Sequence, residues 1–303
     1  MKTIFDTEKH KEEFIYPKAF IIPQDKIIGK DKISIFNTTS KATITDYAIL
    51  CGGFASDFYY TINESFSLKN RAGQYWIEPE AYISETGNNN HVNNIDYWGN
   101  KDRLNGIGVR PAFKYSEIKK YSKNERVNES GILEVECGLF PKSVIDDKLE
   151  TKFKSEFKNK ETIEYNGDTY VKVKLRPFFG ICKLTNENYY TTGESTWIKK
   201  EPVILLIDKE KDIAITKEIV TAGVAYNKFD DYLNNVFVKE MFSKEAKQIQ
   251  MQNKQKEADK NQNDKSLVNS KKVCKTLKEI KKMLLSTYSD KNKATSKKRL
   301  ISK

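Results

Sequence analysis

The sequence predicts a mixed α+β fold, and three observations carry that expectation. Runs of Ile, Val, Phe and Tyr set between Gly, Pro and Asn read as short strands. Two stretches, Val144–Phe157 and Asp230–Phe242, instead place apolar residues at helical spacing. Asn166-Gly167 joins two strand-like runs, the signature of a type I′ hairpin.

In chain order, residues 1–13 are polar and read as a frayed lead-in. FIYPKAFIIP and DKIIGKDKISIF, broken by Pro17, Pro23 and Gly29, read as two or three strands. ATITDYAILCGGF, from Ala42 to Phe54, reads as an apolar strand running into a turn at Gly52-Gly53. That glycine pair lacks both the third spaced glycine of a dinucleotide fingerprint and the Gly-Lys-Ser/Thr of a P-loop, so it marks a turn.

The stretch Phe66–Tyr115 is the most distinctive. It holds two aromatic pairs, Tyr75-Trp76 and Tyr97-Trp98, on either side of a polar, asparagine-rich loop. Neighbours on a strand face opposite ways, so each pair offers one ring inward and one outward. An outward ring beside polar side chains stacks on a sugar or a base, or anchors a protein contact. The other reading packs all four rings in the core. Tyr75, Trp76, Tyr97, Trp98, Asn100 and Arg103 are therefore the ligand-binding candidates. Gly106 and Gly108 precede a short strand, Val109–Phe113, which Pro111 assigns to an edge or a bulge. Arg110, between a β-branched residue and a proline, is expected to pair with a carboxylate inside the fold.

Further on, Ile145, Leu149, Phe153 and Phe157 recur every four residues, with Asp146 and Asp147 at the start of the predicted helix. Two more strands flank a charged turn at Lys209–Lys211. Asp230–Phe242 then reads as a helix with Leu233, Val236, Phe237 and Met241 on one face.

Charge divides the chain sharply. Residues 244–303 hold 18 Lys+Arg against 6 Asp+Glu, whereas the other 243 residues hold 35 against 36. The net charge of +11 thus belongs to the tail and says nothing of the body's ligand. In that tail, VCKTLKEIKKMLL sets Val273, Leu277, Ile280 and Leu284 on one stripe. Lys275, Lys278, Lys281 and Lys282 surround it and are candidate contacts for nucleic acid or a partner protein; a solvated basic helix is the alternative.

Four scattered cysteines, Cys51, Cys137, Cys182 and Cys274, read as free thiols, and two histidines are too few for the usual Cys/His zinc site. No cofactor is expected. No apolar run approaches the ~20 residues of a membrane span, and the N-terminus lacks a secretory pattern, so a cytoplasmic protein is expected, virion-associated if phage-encoded.

SLKNRAGQYW (Ser67–Trp76) and GVRPAFKYSEI (Gly108–Ile118) resemble a family of bacterial and prophage proteins without an established activity. GILEVECGLFPKSVIDDKLE, EYNGDTYVKVK and the segment Trp197–Asn227 continue the resemblance, which covers roughly Thr43 to Phe242. It implies a C-type-lectin-like domain, related to sulfatase-modifying factors, that displays a variable loop for ligand binding. The expected organisation is strands and lectin-like core over 14–125, a second α+β unit over 131–243 (apart or packed with the first), and a basic linker and helix over 244–303. The loop 76–105 departs from the family's segment, so its ligand, carbohydrate or protein, does not carry over.

Calcium-binding C-type lectins use a Glu-Pro-Asn-like tripeptide followed by Trp-Asn-Asp. Glu78-Pro79-Glu80 and Trp98-Gly99-Asn100 match loosely, making Glu78, Glu80, Asn100 and Asp102 calcium candidates beside the reading of a solvated acidic loop. The sulfatase-modifying oxidases act through paired cysteines, which these cysteines do not match. The functional expectation is a non-catalytic recognition protein acting through the loop 76–105. The alternative is a phage or mobile-element interaction factor whose basic tail engages nucleic acid or a host protein complex.

Overall fold

The computed structural model describes residues 13–37, 40–53, 73–78, 81–83, 95–97, 106–175, 181–183, 189–191, 193–259, 262, 272 and 275–282. Chain order begins with β1 (Ala19–Ile21), a helical turn α1 (Asp25–Ile28) and a 3-10 turn at Ser34–Phe36. Only the first of the strands expected here forms, because the Ile-rich run after Pro23 folds into turns that bury Ile27, Ile35 and Phe36.

The expected strand Ala42–Phe54 is corrected in the same way. Its β-branched start makes only a bridge from Ile44 to Ile219. Thr45 then caps a helix, α2 (Asp46–Leu50), by accepting a hydrogen bond from the Ala48 N–H at 3.1 Å. A threonine followed by an aspartate at the first helical position favours helix initiation over strand continuation. The turn expected at the glycine pair is present, with Gly52 at φ +100°.

The strands β2 (Tyr75–Ile77), β3 (Ala81–Ile83) and β4 (Ile95–Tyr97) form a meander. The segment read as a polar loop thus carries two strands of its own. After β5 (Gly108–Val109) and β6 (Pro111–Lys114) come a turn, α3 (Tyr115–Ile118), an exposed strand, β7 (Ser122–Val127), and the long β8 (Leu133–Val144).

The helix expected from the four-residue spacing is α4 (Asp147–Glu156), capped by Asp146, whose carboxylate accepts from the Leu149 N–H at 2.9 Å. The hairpin forms as read. Asn166 and Gly167 both have positive φ, 51° and 84°, between β9 (Thr162–Tyr165) and β10 (Asp168–Lys174). A small pair, β11 (Ile181–Lys183) and β12 (Tyr189–Thr191), precedes β13 (Ser195–Asp208), β14 (Ile213–Thr216) and β15 (Thr221–Ala222).

An eight-stranded, wholly antiparallel sheet runs β1-β6-β14-β13-β10-β9, with β8 on the other side of β13 and β7 beyond it. Strands from both expected domains share this sheet. Residues Ile15–Ala246 accordingly form one compact unit. The second sheet runs β15-β5-β2-β3-β4.

The main core gathers Ile27, Phe36, Ile49 and Leu50 with Ala112, Ile198, Ile213 and Ile215. A satellite core lies under α4, where the buried Phe153 ring makes edge contacts with Phe157, Tyr165, Tyr170 and Trp197 at 5.1–5.7 Å between centroids. Each such pair adds about 0.5–1.5 kcal/mol beyond area burial.

The chain closes this unit with α5 (Phe229–Asp231), a π-helical segment Tyr232–Phe237 and α6 (Val238–Met241). The wider π turn shifts the inward stripe. Leu233, Phe237, Val238 and Met241 are buried, while Val236, expected on that stripe, is 49% exposed. The helical residues 247–259 and 275–282 belong to a separate unit. Among the described residues no helix is long and apolar enough to cross a membrane.

Candidate ligand cleft

At the β15 end of the five-stranded sheet lies a cleft of about 820 Å³. Four elements build it: α2 with the turn that follows, the end of β10 at Val173 and Lys174, the strand β15 with the chain to Ala225, and the first turns of the helix from Lys228 to Val236. Gly223, with φ +71°, brings this wall close to α2. A Cβ there would lie 2.8 Å from the Cys51 carbonyl oxygen, so only glycine fits without movement. The π-helical segment sets Tyr232 and Val236 on the cleft wall while Leu233 and Phe237 enter the core. Such segments occur often at functional sites.

Tyr47, Tyr232, Thr221 and Cys51 give the cleft its polar floor. The Tyr47 ring stands edge-on to Phe140 at 5.6 Å, and Cys51 and Tyr232 lie beside its phenol. Burial pushes the Tyr47 phenol well above its ordinary range, with Cys51 and Tyr232 adding to the effect. Burial likewise pushes Tyr232 up to about 12; the Thr221 hydroxyl beside it acts the other way, and Cys51 and Glu240 raise it further. Both phenols are therefore neutral near pH 7, able to donate and to accept hydrogen bonds.

The charged groups sit at the rim. Lys174, Lys228 and Asp231 line the cleft and are exposed. Asp231 accepts a hydrogen bond from the Asn235 amide at 2.7 Å, and neither lysine has an ion-pair partner among the described residues. Val173, Val224, Ala225 and Val236 add apolar lining, with Ala225 and Val236 exposed.

The residues expected from the sequence are distributed differently. Tyr75 and Trp76 were offered as ligand contacts, but both are buried, at 0% and 2% exposure. Strand β2 lies inside its sheet, between β5 and β3, and is covered on both faces, so alternation sends one ring into each covering layer. The Tyr75 hydroxyl donates to the Ser40 carbonyl at 2.6 Å, and Trp76 packs edge-on against Phe229 at 5.8 Å. Tyr97 pairs with Ala81 through the backbone of β4. Trp98, Asn100 and Arg103 lie outside the described residues, as do Glu80 and Asp102 of the calcium candidates.

Glu78 is exposed, and its backbone bonds to Ile22 and Gln24. Among the described residues no cluster of three or more His, Cys, Asp or Glu side chains could hold a metal ion. Arg110 is buried, and among the described residues its hydrogen-bond partners are not the expected carboxylate. Its Nε donates to the Thr216 carbonyl at 2.8 Å, its Nη1 to the Tyr75 hydroxyl at 3.2 Å, and its guanidinium lies over the Phe36 and Tyr75 rings at 5.5 and 5.2 Å. Lys275, Lys278, Lys281 and Lys282 are exposed along the helical residues 275–282.

The Cys137 thiol is buried, and burial with Glu245 nearby pushes it up to about 12, so it remains a neutral core group. The cleft residues themselves escaped sequence reading. Tyr47 lies more than 170 residues before Thr221 and Tyr232, and only the glycines at 52, 53 and 223 mark the turns that bring them together. Compared with family models, curated proteins and solved structures, the chain finds no match.

Proposed function

We propose that this is a non-catalytic recognition protein that seats a small ligand in the cleft beside β15. The observation that carries this reading is the cleft itself: about 820 Å³, lined by half-buried phenols, by small apolar side chains and by three exposed charged groups. Ligand sites ordinarily combine that size with a few convergent polar groups on a largely apolar lining.

The lectin-like assignment and a recognition role for 76–105 are a separate proposal, because no described residue lining the cleft falls in 76–105. They are supported by the antiparallel pairing of β1 with β6, the outermost strands of the expected lectin-like segment, and by the long excursion between β2 and β5. A cytoplasmic or virion location is part of the proposal too.

Val236→Trp tests the reading, because it fills the cleft from an exposed position. Small molecules that raise the melting temperature of the wild type should lose that effect in the variant. Equal stabilisation of both proteins by the same molecules would place their site elsewhere.

A second reading assigns the working surface to the basic segment. It is favoured by the helical residues 275–282, which expose Leu277 and Ile280 together with four lysines. A chain ending at Ser243 should then stay folded and lose binding to a polyanion; retained binding sinks this reading.

A further inference from the structure

Resting on the cleft reading, we propose that the ligand is a small organic carboxylate, a monoanion with an apolar body whose charged group lies at the rim between Lys174 and Lys228. The rim presents two ammonium groups against one carboxylate, a residual charge of +1 among the described lining residues. A single negative charge balances it, whereas a phosphate dianion overshoots. Asp231 already accepts from Asn235, while among the described residues the two lysines have no ion pair to give up when an anion arrives. An open cleft with one excess sign of charge concentrates counter-ions at its mouth.

The rest of the lining fits the remainder of such a molecule. Val173, Val224, Ala225 and Val236 face an apolar body, and the Tyr47, Tyr232 and Thr221 hydroxyls serve a polar substituent at its far end. A fully neutral polar ligand would leave the rim charge unused.

The test uses the full chain and two probes that differ chiefly in charge, 4-fluorobenzoate and 4-fluorobenzamide, titrated by fluorine and heteronuclear NMR. The carboxylate is expected to bind about fivefold more tightly, the size of a partly exposed ion pair. The preference should disappear in Lys174→Met/Lys228→Met and shrink with added salt. Both lysines are exposed, so the double variant should fold, which its amide spectrum checks. Cleft-localised shifts of equal strength for both probes would overturn the carboxylate assignment and leave the cleft reading intact. Binding of neither probe, with no shifts around Tyr47 and Tyr232, would overturn both.

Discussion

The side chain of Asn234 pairs with the backbone of Ala19 as a neighbouring strand would. Its Oδ1 accepts the Ala19 N–H at 3.0 Å, and its Nδ2 donates to the Ala19 carbonyl at 3.2 Å. Ala19 lies on β1, at the edge of the eight-stranded sheet, where unpaired backbone groups invite pairing with another chain. The π-helical segment that lines the cleft with Tyr232 therefore also covers this edge with Asn234. Asn234→Ala should cost about 1–3 kcal/mol, because it leaves part-buried backbone groups unsatisfied. A lowered denaturation midpoint with unchanged m-value checks this. Asn234→Asp keeps the acceptor but sets a carboxylate against the Asp230 carboxylate and the Ala19 carbonyl, so at neutral pH it should cost at least as much.

Gly138 and Gly131 offer a matched comparison. Both have positive φ, 58° and 76°, but a Cβ at 138 would lie 2.5 Å from the Met241 carbonyl oxygen, while one at 131 meets nothing within 4 Å. Gly131→Ala should therefore show only the backbone cost, roughly 1–2 kcal/mol. Gly138→Ala adds a clash between β8 and the backbone of the closing helix and should be clearly worse. Equal losses in thermal melts would show that the helix yields.

How much of this was legible depends on whether a signal is local. The hairpin at Asn166-Gly167 and the helix capped by Asp146 were readable because turn chemistry and capping act over a few residues. The stretch Ala42–Phe54 misled because its β-branched start outweighed Thr45 and Asp46, the helix-initiating pair inside it. Trp76 misled because alternation tells which rings face opposite ways, and never whether both faces of a strand are covered. The cleft was illegible for a further reason: its phenols and lysines converge only where β15, the end of β10, α2 and the closing helix meet.

Glu134 gives a pH prediction. Its carboxylate is almost fully buried and accepts from Lys217 at 2.7 Å, Asn128 at 3.0 Å and Arg126 at 3.1 Å. Burial alone would raise its pKa, but these donors outweigh burial and hold it below the ordinary carboxylate value. A depressed folded pKa contributes stability that is fully present above the unfolded value, about 4.3, and is lost as pH falls through the folded one. Stability of the wild type should thus decline on acidification below that point. In Glu134→Gln the decline should be shallower, and the loss at neutral pH larger than at pH 3.

Trp76 and Arg110 test whether the aromatic pair at 75–76 is scaffold. Trp76→Ala removes a ring buried against Phe229 and should cost about 3–5 kcal/mol. Arg110→Lys retains the charge but loses the planar fork that reaches the Thr216 carbonyl and the Tyr75 hydroxyl together. It should therefore destabilise almost as a truncation would, since a buried ammonium then stands between two rings without matching acceptors. Tyr75→Phe keeps the ring under the guanidinium and removes only the hydroxyl, so its loss should be the smallest of the three. If Trp76→Ala instead leaves the melting temperature unchanged and abolishes ligand binding, Trp76 is a contact residue and the scaffold assignment is overturned.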